Sequence, residues 1–173
     1  SQMERGRKSL GRDDAAGPAQ SWTRIHSLGG VVLGDDVEVG CNSTIDRGTI
    51  ADTVIGDGTK LDAQVHVGHN CKVGRDCLLC GQVGLAGSVV LGDRVVLGGR
   101  VGVSDNITVG NDVVAGVASL LISNVPAGRM MMGYPAVRMD AHVEIYKALR
   151  RLPRLARSVA DLQKAVSKSG KTP

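Results

Sequence analysis

The chain has 173 residues, 24 of them glycine, with one tryptophan, no phenylalanine and a net charge of +4. One compact domain is the default at this length, and so few aromatic side chains argue against a conventional sandwich core. No apolar run approaches the roughly 20 residues that span a bilayer, and the charged stretch 1–14 lacks the apolar segment of a signal peptide, so the expectation is a cytoplasmic protein.

Residues 1–22 mix Arg, Lys, Asp, Gly and Ala with little apolar periodicity, which predicts a mobile arm or loop. From Ile55 an aliphatic residue recurs at every sixth position, through Leu61, Val67, Val73, Leu79, Leu85, Leu91, Leu97, Val103, Val109 and Ala115 to Leu121. A small residue, most often glycine, usually follows. A second register four residues later is also mostly apolar, running from Val65, Cys71 and Cys77 to Val113, Ser119 and Val125. Two inward positions per six residues make a short strand and a corner.

Such hexads specify a parallel β-helix, whose coils stack to bury one continuous core. Three hexads make a coil, so residues three hexads apart lie above one another at the strand spacing of roughly 4.8 Å. Hexads of this kind go with left-handed coils, an exception to the usual crossover rule. The glycine after each aliphatic residue reads as the tight corner, where it tolerates dihedrals that a side chain forbids. The phase begins at Leu33, Val39 and Ile45 and then breaks, because the step from Ile45 to Ile55 falls two positions short of two hexads. The segment Asp46–Val54 is therefore expected to bulge or protrude. About five coils are predicted between Val31 and Val125, within a β-helix domain over 23–136.

Beyond Pro135 the spacing of Val143, Ile145, Leu149, Leu152, Leu155, Val159, Leu162 and Val166 is mainly three and four, the signal of an amphipathic helix. Pro153 is expected to split or kink it, giving C-terminal helices over 137–168 and a frayed end at 169–173. Between Arg138 and Lys171 nine basic residues face three acidic ones, a net charge of +6. This face reads either as a solvated helix surface or as a site for an acidic partner. With Tyr146 the only aromatic residue in the tail, nucleic acid is the weakest candidate.

Four cysteines, Cys41, Cys71, Cys77 and Cys80, include one CxxC and no second paired spacing. Cys71 and Cys77 occupy inward positions held elsewhere by valine, so structural thiols are expected and no metal site. A metal-dependent β-helix hydratase would need three histidine ligands, and only His66 and His69 lie within the repeats.

Both histidines are out of the inward registers. They read either as plain surface residues or, for His69, as an imidazole available for proton transfer. Gly87 follows His69 by three hexads, one coil away. A base beside a bare peptide N–H supplies the parts needed for acyl transfer to an amine or hydroxyl.

The runs Gly40-Cys-Asn-Ser-Thr-Ile-Asp-Arg-Gly48, Asp52-Thr-Val-Ile-Gly56, Lys60-Leu-Asp62, Gly68-His-Asn70, Gln82-Val-Gly-Leu-Ala-Gly87 and Gly98-Gly99 resemble the UDP-3-O-acylglucosamine N-acyltransferase family of lipid A biosynthesis. The similarity covers roughly Ile25 to Ala136. It implies transfer of a 3-hydroxyacyl chain from acyl carrier protein, whose phosphopantetheine thioester is the donor, to the 2-amine of a UDP-linked, 3-O-acylated glucosamine. No bound cofactor is implied. His69 matches the family's general base and Gly87 its oxyanion N–H. Asn106, standing where many members carry a second histidine, would position substrate.

The resemblance further implies Asp46, Arg47, His66, Asn70 and Leu120 as substrate-binding residues, Leu120 in the region of the acyl pocket. It implies a homotrimer with sites between adjacent β-helices, and acyl carrier protein as the acidic partner of Arg150, Arg151, Arg154 and Arg157. Family members also carry an N-terminal uridine-binding domain and earlier coils, so the expectation is either a truncated stretch or a naturally short homologue, without that nucleotide site. The other readings are a sugar N-acyltransferase using acyl-CoA and a non-catalytic trimeric β-helix.

Overall fold

The computed structural model describes residues 3–4, 23–133 and 135–169. Apart from Met3–Glu4, which pairs antiparallel with Thr23–Arg24, the expected arm over 1–22 lies outside the described residues, as does the end beyond Ser169. The chain divides into two units, one up to residue 134 and the other from Pro135 onward.

The first unit is a parallel β-helix. Strands of two or three residues stack into three parallel sheets, one of six strands and two of five. In one five-stranded sheet, Thr44–Ile45, His66–Val67, Gly84–Leu85, Gly102–Val103 and Leu120–Leu121 lie in register. The six-stranded sheet runs from Glu38–Val39 to Met130–Met131, so one side has a rung more than the five coils read from the hexads. Leu61 pairs with Leu79 and Leu85 with Val103, each partner three hexads further along the chain.

Inside, both inward registers are buried, including Ile55, Leu79, Leu85, Leu97, Val65, Val83 and Val101. Burying one such aliphatic side chain contributes about 1.5–3 kcal/mol, and the regular stacking repeats this gain on every rung. The few polar inward residues are satisfied. Thr59 Oγ1 donates to Gly74 O at 2.9 Å and accepts from Cys77 N at 3.1 Å, and Ser119 Oγ donates to Gly116 O at 2.7 Å.

The corner chemistry differs from the sequence reading. The glycine after the aliphatic residue does not supply the unusual dihedral. The left-handed residue comes two positions later, at Gln64, Asn70, Asp76, Gln82, Ser88, Arg94, Arg100, Asn106, Asp112 and Ala118, with φ between 53° and 65°. Glycine is needed before it because the coils touch there. A β-carbon on Gly56 would lie 2.6 Å from Gly74 O, and one on Gly68 would lie 2.8 Å from Ala86 C.

Left-handed conformations cost non-glycine residues about 1–2 kcal/mol each. Stacked side chains offset part of this. Arg100 Nε donates to Gln82 Oε1 at 2.7 Å, Gln82 Nε2 donates to Gln64 Oε1 at 2.8 Å, and Arg94 pairs with Asp112.

One corner is enlarged. Ile45 pairs with Val67 and Leu33 with Ile55, in each case a longer step along the chain than the regular coil. The stretch from Ile45 to Ile55 is therefore a single extended corner, where a bulge or protrusion over Asp46–Val54 was expected. The extra residues fold against the segment that leads into Val31–Leu33: Leu28 N donates to Thr49 O at 2.7 Å and Gly48 N to Gly30 O at 3.0 Å. Gly48 is obligatory, since a β-carbon there would overlap Ala51 O.

The second unit holds one helix, Met139–Ser169, which continues through Pro153 where two helices were expected. Proline removes one N–H and so one backbone bond, and Arg157 Nε donates to Pro153 O at 3.3 Å. Asp140 lies in the first turn and Lys164 toward the end, an order that complements the helix dipole. Leu149, Leu152, Leu155, Leu162 and Val166 are all exposed.

Candidate functional site

Stacking carries His69, Gly87 and Asp105 into one outward column, each three hexads after the last. Ser88 N donates to His69 O at 2.8 Å and Asn106 N to Gly87 O at 3.1 Å, which fixes the rungs. The Cε1–Nε2 side of the His69 ring lies against Gly87: a β-carbon there would be 2.5 Å from Cε1 and 2.7 Å from Nε2. The neighbouring N–H groups of Ala86 and Ser88 bond to other coils, while Gly87 N donates to no backbone carbonyl among the described residues.

The tautomer of His69 follows from its neighbours. Asn70 Oδ1 accepts from Thr49 N at 2.9 Å and Thr49 Oγ1 at 2.6 Å. A backbone N–H only donates, so this side-chain atom is the amide oxygen. His69 Nδ1, 3.1 Å from the same oxygen, is therefore the protonated nitrogen. In the neutral ring Nε2 then carries the lone pair, beside Gly87. Thr53 Oγ1 accepts from Asn70 N at 2.9 Å and holds the corner.

His66 occupies a separate outward column with Thr44, Gly84, Gly102 and Leu120. Its Nδ1 is 2.8 Å from Thr44 Oγ1 and its Nε2 4.0 Å from Asp46 Oδ2. Arg47 Nε donates to Gly29 O at 2.8 Å, at the start of the enlarged corner. The sequence-predicted residues Asp46, Arg47, His66 and Asn70 thus surround the His69 rung and the one before it. Leu120 lies two rungs beyond Gly84 and is 75% exposed, beside a groove lined by Ala118, Ser119, Met131, Met132 and Gly133.

Asn106 does not face this column as a free amide. It sits in the left-handed corner with φ 57°, and its Nδ2 donates to Asp105 Oδ2 at 2.9 Å. Asp105 is the group that the column presents. Bonds from Asn106, from its own N–H and from Ser104 hold its carboxyl below the usual carboxylate range. Thr49 and Asp105 were not among the residues singled out from sequence. Asp105 was legible by counting three hexads on from Gly87, whereas Thr49 lies in the enlarged corner, where the hexad count fails.

The other candidates lie elsewhere. Cys71 and Cys77 are buried, their thiols bonded to Ala86 O and Gly92 O at 3.1 Å, and burial pushes both thiol pKa values up, which suits inert packing groups. Arg150, Arg151, Arg154 and Arg157 are on the exposed helix of the second unit. No helix among the described residues is long and apolar enough to cross a membrane.

In comparison with known proteins, His66, His69, Asn70 and Gly87 fall within a matched stretch. Residues 52–87, from the enlarged corner to Gly87, match the bacterial transferase hexapeptide family of six repeats. The chain is 65% identical over 167 residues to a UDP-3-O-acylglucosamine N-acyltransferase of Ruegeria pomeroyi, a match that covers 96% of this chain and 46% of the relative. It therefore spans about half the length of the curated relatives it matches.

Among solved structures, the UDP-N-acetylglucosamine O-acyltransferase of Moraxella catarrhalis is 27% identical, with a TM-score of 0.59 over 86% of this chain and 71% of that one. A perosamine N-acetyltransferase from Caulobacter crescentus, in complex with CoA and GDP-perosamine, is 30% identical, with a TM-score of 0.55 over 65% of this chain and 51% of that one.

Proposed function

This chain is a hexapeptide-repeat protein homologous over nearly all of its length to UDP-3-O-acylglucosamine N-acyltransferases, and from that premise we propose that it forms the acyl-transfer part of such an enzyme. The reaction moves a 3-hydroxyacyl chain from the thioester of acyl carrier protein to the 2-amine of a UDP-linked, 3-O-acylated glucosamine. One observation carries the reading: the Nε2 side of His69 lies against a peptide unit whose N–H is uncommitted to the backbone ladder.

In this mechanism the amine nitrogen attacks the thioester carbonyl carbon, and His69 Nε2 takes the proton that the nitrogen sheds. Thr49 and Asn70 keep Nδ1 protonated, so the lone pair stays on the reacting side. The carbonyl oxygen becomes an oxyanion and receives the Gly87 N–H, a preorganised donor of the kind worth about 10²–10³ in rate. Collapse of the intermediate forms the amide and breaks the C–S bond. The departing thiolate takes the proton back from Nε2, which returns the imidazole to its starting state.

Asp46, Arg47 and His66 supply polar contacts on the acceptor side, and the exposed Leu120 fits an alkyl chain on the donor side. The site is an open flank of one β-helix, so the proposal includes a homotrimer in which an adjacent copy closes it. The basic helix would meet the acidic carrier protein.

An acyl-CoA donor is the second reading, favoured by the likeness to the CoA-bound perosamine enzyme. Incubation with 3-hydroxyacyl-carrier protein or with the matching acyl-CoA, each with a UDP-amino sugar, tests both. Amide product from the carrier protein supports the proposal, and product from CoA alone selects the second reading. No product from either overturns acyl transfer by this chain.

A further inference from the structure

The geometry points to Asp105 as a specificity-determining residue for the acyl donor: its carboxylate accepts the hydroxyl of a 3-hydroxyacyl chain whose carbonyl lies at Gly87. This rests on the function proposed above and assigns a role to a residue outside the proton-transfer machinery.

The neighbouring column of Thr44, His66, Gly84, Gly102 and Leu120 gives the site a direction. On the N-terminal side of the His69 rung the surface is polar, with Thr44, Asp46, Arg47 and His66. On the C-terminal side Leu120, Ile122 and Met132 are 75%, 79% and 77% exposed. Between them Gly84 and Gly102 contribute no side chain; a β-carbon at Gly84 would meet nothing within 4 Å, and the Leu120 side chain lies over Gly102, its Cδ2 2.9 Å from where a β-carbon would sit. A phosphorylated sugar therefore fits one end and an alkyl chain the other. A donor with its carbonyl at Gly87 sends its chain across the Asp105 rung toward Leu120.

Distance then selects the atom. Asp105 is one rung beyond Gly87, about 4.8 Å, and two rungs from His69, about 10 Å. No hydrogen bond joins Asp105 to the imidazole, whose Nδ1 is bonded to Asn70. The oxygen on the third carbon of an acyl chain lies roughly 4 Å from the carbonyl carbon, about one rung away.

Chemistry settles the preference. An ionised carboxylate only accepts hydrogen bonds, and O–H to carboxylate bonds are among the stronger ones. Asn106 Nδ2 at 2.9 Å and Ser104 Oγ at 3.3 Å hold the acceptor in place, so Asn106 acts as a positioning residue through Asp105. An unsubstituted chain would press a methylene against the charge and desolvate it without return.

The test compares 3-hydroxyacyl and unsubstituted acyl donors of equal length, in the wild type, Asp105→Asn and Asp105→Ala. Transfer is read as the ratio of kcat/KM values. Binding of the two acyl-pantetheines is read separately in a His69→Ala background, which needs no turnover. Sites that read a substrate hydroxyl discriminate strongly against analogues lacking it, so Asp105→Ala should reduce the wild-type preference at least about tenfold, with Asp105→Asn retaining part of it. Equal losses for both donors, or an unchanged ratio in Asp105→Ala, would overturn the assignment. If no amine is acylated but the binding preference is lost in Asp105→Ala, the acceptor reading fails and the role of Asp105 stands.

Discussion

The imidazole of His69 lies so close to Gly87 that a methyl group on residue 87 would meet Cε1 at 2.5 Å and Nε2 at 2.7 Å. Glycine at 87 is thus a requirement of the histidine rather than of the turn, because Gly87 has no left-handed φ. Gly87→Ala should displace the ring and lower kcat/KM by roughly 100-fold. Folding should persist, since the group that must move is a side-chain end. In a double-mutant cycle the same change on a His69→Ala background should cost little, and additive losses would contradict the contact.

Asn70 fixes the histidine tautomer through one oxygen shared with Thr49. Asn70→Asp keeps that acceptor and places a negative charge beside the ring, which favours the imidazolium. The base is then lost to protonation at higher pH. The acid limb of the pH–rate profile should therefore move to higher pH, with the maximal rate largely kept. A profile identical to the wild type would show that Asn70 does not address His69.

The glycines that follow the core aliphatics are explained by coil contact, and two positions discriminate this from a general need for flexibility. A β-carbon on Gly74 would overlap Gly92 O and lie 2.6 Å from Asp93 Oδ1, whereas Gly84 has open space. Overpacking costs about 1–3 kcal/mol, so Gly74→Ala should lower Tm by roughly 4–10 °C. Gly84→Ala should leave Tm within about 2 °C. Equal shifts by thermal denaturation would refute the contact account.

Much of this was legible in the sequence because one period governs the whole middle of the chain. Counting three hexads on from His69 gives Gly87, and the inward registers from Ile55 to Leu121 are buried as read. The reading failed where the period does not hold. Between Ile45 and Ile55 the count predicted only an irregular, bulging segment and not its contacts, and the observed corner places Thr49 on Asn70. Dihedrals were also misassigned, since glycine's steric and conformational roles look alike in sequence. The bond from Asn106 to Asp105 depends on a corner geometry that spacing does not encode. Proline at 153 was overridden by a helix that forms through it.

The helix carries its positive charge on exposed side chains. Replacing Arg150, Arg151, Arg154 and Arg157 by glutamine should weaken binding of an acidic carrier protein and flatten its dependence on salt. Circular dichroism should be unchanged, as no packed group is removed. Binding indifferent to both charge and salt, measured by titration calorimetry, would leave the helix without this role.

The central claim is that His69 moves the proton. The rate of amide formation by His69→Ala, measured with saturating 3-hydroxyacyl donor and UDP-amino sugar, addresses it most directly. The account predicts a fall of at least about 100-fold with the β-helix intact and donor binding retained. A rate within a few-fold of the wild type would contradict it.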